Sequence, residues 1–313
     1  MKLLITGGAG FIGSNFIRYI LGKYPEYQII NLDILTYAGN LDNLSDISGN
    51  PNYRFVKGDI ADRKLVSDLA SKVDAIINFA AETHVDRSID DPTPFLTTNV
   101  IGTEVLIESA LKNKHKRYIQ ISTDEVYGDI KEGMFTEKSP LKPSSPYSAS
   151  KAAGDLLVLA SVRTYGLPAI ISRCSNNYGP YQYPEKVMPF FIKKLLNGEK
   201  APLYGQGLNV RDWLHVIDHC RAIDLILHKG KIGEIYNIGA NNEHSNLEIT
   251  MRILKILDLP GGRIEFVKDR PGHDIRYAID ATKIRKELGW KPTIDFVDGF
   301  RDTVLWYKNL FTK

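Results

Sequence analysis

An apolar run, Lys2–Thr6, stops abruptly at Gly7-Gly8-Ala9-Gly10-Phe11-Ile12-Gly13 and passes into an amphipathic helical pattern that ends near Leu21. No other feature narrows the possible folds of this chain as far. The order is strand, glycine turn, helix. Gly8, Gly10 and Gly13 space as G-x-G-x-x-G, and Gly7, Gly10 and Gly13 as G-x-x-G-x-x-G. Absent side chains let a backbone turn tightly and approach a pyrophosphate, while the helix start offers unpaired N–H groups and a partial positive charge. Alone, such a turn can also do no more than connect a strand to a helix.

A second apolar run, Gln28–Leu32, ends at Asp33, twenty residues beyond Gly13. A carboxylate there can accept hydrogen bonds from both hydroxyls of an adenosine ribose and would repel a 2′-phosphate, which favours NAD over NADP. Further strands are expected at 53–57, 75–79, 117–121 and 169–173, with helices at 62–71, 93–112 and 145–165 between them. This alternation predicts an α/β fold, a Rossmann-type doubly wound parallel sheet whose ligands sit beyond the C-terminal strand ends. The segments just past those ends are Asp59-Ile60, Ala80-Ala81-Glu82-Thr83, Ser122-Thr123-Asp124-Glu125 and Ser175-Asn176-Asn177.

At 313 residues the chain has room for about two lobes. A cofactor domain is expected over 1–173, with a return of the chain at about 210–238 through a helix at 212–227 and a strand at 234–238. Segments 174–209 and 239–313 would form a smaller, discontinuous lobe. Lys and Arg number 40 against 37 Asp and Glu, a net charge of +3 that gives no reason to expect nucleic acid or an anionic membrane as partner. Two cysteines, Cys174 and Cys220, cannot make a disulfide framework or a four-thiolate zinc site. With no membrane-length apolar run and no cleavable signal, a cytoplasmic protein is expected.

Tyr147 and Lys151 stand four residues apart at the start of a long helical pattern, so both project from one face. An ammonium stabilises a neighbouring phenolate, and a positive nicotinamide ring would act in the same direction. A tyrosine so tuned can take a proton from an alcohol while hydride leaves the same carbon. Together with the glycine turn, this pair resembles the extended short-chain dehydrogenase/reductase superfamily and its sugar epimerase/dehydratase family. Simple 4-epimerases of that group usually carry small residues where this chain has Asp124-Glu125, and two adjacent carboxyl groups imply a further proton-transfer task.

The resemblance to the 4,6-dehydratases that act on dTDP-glucose runs nearly end to end, through 33–40, 80–88, 174–182, Arg211-Asp212-Trp213 and 269–274. Thr83, Gln182 and Tyr183 are small departures. The resemblance implies that Tyr147 removes the proton of the sugar 4-hydroxyl, held by Thr123, while NAD accepts the C4 hydride. Glu125 would then take the C5 proton, Asp124 would protonate the departing 6-hydroxyl, and hydride would return to C6. It implies a cofactor site of Gly7, Gly10, Phe11, Ile12, Gly13, Asp33, Ile34, Leu35, Thr36, Asp59, Ile60, Phe79, Ala80, Ala81, Glu82, Thr83, Thr98, Tyr147, Lys151 and Asn177. The substrate would meet Thr83, His84, Thr123, Asn176, Lys186, Val187, Pro202, Leu203, Tyr204, Arg211, Asn246, Arg270 and His273, with Arg211 and Arg270 suited to a diphosphate.

Competing readings are a UDP-glucose 4,6-dehydratase, a 4-epimerase and a non-catalytic NAD-sensing regulator; the last would need neither the Tyr/Lys pair nor the acid pair. His215 and His219 have a metal-compatible i, i+4 spacing but no third ligand nearby in sequence, so no metal is expected. The basic run Lys112–Arg117 reads as a solvated helix end and Cys174 as a packed residue. Apolar residues Val105, Leu106, Leu156, Leu157 and Leu159 exceed what one buried helix stripe needs, and the resemblance implies pairing through the same helices, so a homodimer is expected.

Overall fold

The computed structural model describes residues 1–269 and 272–312. Seven strands make one wholly parallel sheet: β1 (Lys2–Thr6), β2 (Gln28–Asp33), β3 (Tyr53–Lys57), β4 (Ala75–Asn78), β5 (Arg117–Thr123), β6 (Ala169–Cys174) and β10 (Ile235–Ile238). Their spatial order is β10-β6-β5-β4-β1-β2-β3, so the direction of winding reverses between β1 and β4. At that reversal the flanking connections diverge and leave a crevice above the strand ends.

Alternate residues of each strand serve opposite faces. Leu3, Ile5, Ile77 and Ile119 join the core beneath helices Phe11–Lys23 and Val216–Lys229, while Leu4, Ile76 and Tyr118 join the core beneath Arg63–Ala70, Thr103–Lys112 and Pro146–Tyr165. The remaining strands are β7 (Asn176–Tyr178), β8 (Ala201–Tyr204), β9 (Val210–His215), β11 (Glu243–Ser245) and β12 (Ile264–Val267). They form a three-stranded sheet, β11-β9-β7, and a two-stranded one, β12-β8. A third core, around Phe191, Ile192, Trp213, Ile253 and Phe300, joins them to helices Val187–Leu196, Asn246–Ile256 and Phe296–Phe311.

Two expected elements differ. The helix expected from Asp212 begins at Val216, because Val210–His215 is the central strand β9 and the His215 ring caps the helix by accepting the Ile217 N–H at 3.2 Å. The helix expected over 93–112 is broken by a π-helical stretch, Thr97–Gly102, with regular helix on both sides. Of the apolar residues read as surplus, Val105 and Leu106 are core; Leu156 is exposed, together with Leu96 and Ile101.

Candidate active site

The glycine turn shows two kinds of glycine. Gly7 has φ +67°, and a Cβ there would lie 2.5 Å from the Ala80 nitrogen; at Gly13 it would lie 2.4 Å from the Gly7 oxygen. These positions are forced by the protein's own packing. Gly10 is not: its Cβ would meet nothing closer than the Gly7 oxygen at 3.3 Å. The missing side chain there instead bares the N-terminus of the Phe11–Lys23 helix, a cradle that fits a pyrophosphate.

At the end of β2, the Asp33 carboxylate accepts the Ala9 N–H at 2.9 Å and the Leu35 N–H at 2.8 Å. Burial pushes its pKa up and these two donors pull it down. Each oxygen keeps a lone pair for a ribose hydroxyl. Leu35 does not line the cavity; its left-handed backbone, φ 58°, supplies the N–H that orients Asp33. Every other expected cofactor residue, from Gly7 through Asp59, Ile60, Thr98 and Asn177, faces one continuous cavity. A cradle, a ribose carboxylate and this wall together fit a dinucleotide.

Helix Pro146–Tyr165 starts where the chemistry is. Ser145 caps it, accepting the Ser148 N–H at 3.1 Å, while the Ser148 hydroxyl takes the Ser145 N–H at 3.0 Å, and Pro146 opens the first turn. Tyr147 therefore sits in that first turn, its N–H fixed on the Ser88 hydroxyl at 3.1 Å, and Lys151 follows one turn later. The Lys151 ammonium donates to the Ile121 carbonyl at 2.6 Å. Burial, then the nearby Glu125 charge, push the Tyr147 phenol well above its usual range, and the Thr123 hydroxyl works against them. A cation brought into the cavity would pull it back down.

Strand β5 ends in Thr123 and turns at once into a 3₁₀ stretch, Asp124–Tyr127. The Thr123 hydroxyl accepts the Glu125 N–H and donates to Asp124 Oδ1, each at 3.3 Å. Asp124 is buried, and its Oδ2 has no hydrogen-bond partner. Burial, reinforced by Glu125 and Asp212, raises its pKa well above its ordinary value. Burial thus biases Asp124 toward its protonated form, in which it can act as an acid. Glu125, half-buried, is the more open of the two.

A second cavity adjoins the first and shares Thr83, Glu125, Asn176, Glu185 and Lys186 with it. His84, Val187, Pro202, Leu203, Tyr204, Arg211, Asn246 and His273 line it as expected. Thr123 faces the first cavity instead, beside Tyr147. Arg270 lies outside the described residues. Arg211 stacks 4.2 Å over the Tyr277 ring and spends three N–H groups on the carbonyls of Val210, Asp274 and Ile275, so its guanidinium is fixed in place.

Several lining residues were not anticipated. Tyr277, Trp213, Phe190 and Asp86 line the second cavity, Gln182 and Tyr183 the first, and Glu185 both. Asp86, Gln182 and Trp213 lie within the stretches that carry the resemblance, and Tyr183 directly follows one; Tyr277 carried no local signal. Cys174 is packed as expected, yet in the cavity wall, where burial pushes its thiol up to about 12. His215 and His219 do not converge on a metal site. His219 is wholly buried and bonds Asn177 Oδ1 through Nδ1 at 3.0 Å, and burial lowers its pKa to about 3.

The family model described as GDP-mannose 4,6 dehydratase matches residues 4–303. A dTDP-glucose 4,6-dehydratase of Streptomyces niveus is 53% identical over 99% of this chain and 93% of its own length. The low-salt glycan biosynthesis protein Agl12 of Haloferax volcanii is 54% identical over 98% of both chains. The crystal structure of DesIV, a dTDP-glucose 4,6-dehydratase of Streptomyces venezuelae with NAD bound, superposes with a TM-score of 0.97 at 51% identity, covering 99% of this chain and 97% of that one. The chain belongs to the GDP-mannose 4,6 dehydratase family, and its sequence stands beside members named dTDP-glucose 4,6-dehydratase.

Proposed function

We propose that this chain is an NAD-dependent hydro-lyase converting dTDP-glucose into dTDP-4-keto-6-deoxyglucose and water. The observation that carries the reading is Asp124, buried and biased toward its protonated form beside Glu125 in the cavity that also holds Tyr147 and Lys151. A 4-epimerase needs only the Tyr/Lys pair; an acid next to a second carboxyl group serves an elimination.

Bound NAD supplies the acceptor for the C4 hydride and, once reduced, the donor to C6. Gly7, Gly10 and Gly13 would cradle its pyrophosphate and Asp33 its adenosine ribose. Tyr147 takes the 4-hydroxyl proton, helped by the Lys151 charge, while Thr123 holds that hydroxyl. The 4-ketone acidifies C5–H, Glu125 removes that proton, and Asp124 delivers one to the leaving 6-hydroxyl. Arg211 would pair with the diphosphate, and Lys186 would meet the substrate.

Substrate deuterated at C4 tests the reading. The label is expected at C6 of the same product molecule; label lost to solvent or kept at C4 overturns the internal redox cycle. Mass spectrometry of products from dTDP-glucose and UDP-glucose in parallel decides the nucleotide.

The same reading takes the protein as a cytoplasmic homodimer. Buried, unpaired Cys174 and Cys220 suit a reducing compartment, and the exposed apolar residues Leu96, Ile101 and Leu156 suit a second copy. A monomer by light scattering at micromolar concentration would count against the dimer. No helix among the described residues is long and apolar enough to cross a membrane.

A further inference from the structure

One turn beyond Lys151 on the same helix lies Asp155, with no accessible surface. Its Oδ2 accepts Arg173 Nε from β6 at 2.9 Å, an ion pair with both side chains buried. Arg173 continues to the Tyr127 hydroxyl at 2.9 Å, which donates to Asn237 Oδ1 at 2.8 Å. Asp155 Oδ1 takes no part in this chain; it is buried and without a hydrogen-bond partner. An ionised carboxylate is costly to bury, and one left half-satisfied beneath a reaction site calls for a reason.

We infer that Asp155 is a positioning residue for the hydride step: its buried carboxylate, anchored by Arg173, holds the Lys151 ammonium charged beneath Tyr147. Residues i and i+4 share a helix face, so Asp155 lies one turn from Lys151 on the same side of the helix, where its charge acts on the ammonium without direct contact. Lys151 otherwise has little to keep its proton. Its one protein hydrogen bond is to the neutral Ile121 carbonyl, and burial lowers its pKa, with Asp155 the largest influence in the other direction.

The groups facing this pair are few. From β6 they are Arg173 and the thiol of Cys174; from β5 and the turn after it, Tyr118, the Ser122 hydroxyl and Asp124; from the same helix, Tyr147. The π-helical stretch packed on the helix brings Asn99 to Ser150 and no charge. Arg173 stays protonated and Tyr118 is held neutral by burial. Burial raises the Asp155 pKa and Arg173 opposes that rise, so the ion pair with Arg173 is what favours the anion that acts on Lys151 from within the core.

The inference rests on the roles proposed for Tyr147 and Lys151. The test follows NADH formation in a single turnover of the NAD-loaded protein against pH. In Asp155→Asn the alkaline limb of that profile should move to lower pH by at least about one unit, a tenfold loss on the limb. Asp155→Glu should restore it, and Arg173→Lys, which keeps the counter-charge, should leave its position unchanged. If Asp155 only braces the core, Asp155→Asn and Arg173→Lys would lower the melting temperature together with an unmoved limb, and the inference fails. If Asp155→Asn does not fold, the shift is read from Asp155→Ser, which also removes the charge and must move the limb for the inference to stand. Lys151→Met separates the two levels: unimpaired NADH formation there would overturn the underlying reading instead.

Discussion

Asn99 grips the backbone of Glu82 at both ends: its Oδ1 accepts the Glu82 N–H at 3.0 Å and its Nδ2 donates to the Glu82 carbonyl at 3.1 Å. The same Nδ2 reaches the Ser150 hydroxyl at 2.8 Å, tying the wall of the cofactor cavity to the helix of Tyr147 and Lys151. Asn99 lies in the π-helical stretch, where an extra residue per turn re-aims side chains. Asn99→Ala leaves buried backbone groups unpaired, at a cost of about 1–3 kcal/mol. It should lower the melting temperature and, unlike the wild type, lose NAD on gel filtration; full NAD retention would show that the grip does not shape the cavity.

Cofactor preference should follow Asp33. Replacing it by Ser removes the ribose acceptor and the charge that repels a 2′-phosphate. Hydrogen bonds to a charged group are worth about 1.5–3 kcal/mol, so the NAD-over-NADP preference should narrow by roughly ten- to a hundredfold. Reconstitution with each cofactor and a turnover assay measure this directly. Equal use of both by the unaltered protein would overturn the ribose assignment.

Tyr147 and the acid pair should fail at different steps. Tyr147→Phe should abolish C4 hydride transfer and accumulate no NADH. Glu125→Gln and Asp124→Asn should still pass the first hydride and stall at loss of water, with absorbance from bound NADH building up. The order follows from acidity, because C5–H becomes removable only after the neighbouring carbonyl exists. General acid or base help is worth about 10²–10⁴-fold, which sets the expected loss in overall rate. Loss of the first hydride in all three variants would refute the division.

Asp124 should also mark the stability profile. Its folded pKa lies above its unfolded one, so the folded state keeps a proton that the unfolded chain releases. Stability from this group is therefore full below the ordinary carboxylate range and declines as pH rises toward the folded value. Asp124→Asn keeps the shape without the charge. It should melt higher than the unaltered protein at pH 8 and show a smaller advantage at pH 4. An advantage independent of pH would mean that the acid is not held protonated.

What the sequence revealed and what it hid divide by range. The glycine turn, Asp33 and the Tyr147/Lys151 pair were legible because each depends on spacing within one strand-turn-helix unit. So was the parallel sheet, since alternating strands and helices allow few other arrangements. Asp212–His215 reads as the start of a helix because Asp212 to Leu227 carries a continuous helical pattern. Only the three-stranded sheet, with β7 and β11 on either side, holds it extended. The grip of Asn99 on Glu82 spans 17 residues and depends on a local widening of the helix that no periodicity signals. Asp155 carries no local sequence signal, because its partner Arg173 comes from a neighbouring strand.

The shared wall of the two cavities has a consequence for the cell. Thr83, Glu125, Asn176, Glu185 and Lys186 border both spaces, so a seated sugar nucleotide stands against the reacting end of the cofactor. Electrons lent by C4 have one nearby creditor, C6 of the same molecule, and never join the circulating pool. Such an enzyme would run at the same pace in a starved, reduced cell and a well-aerated one. Its flux would answer to the supply of sugar nucleotide alone.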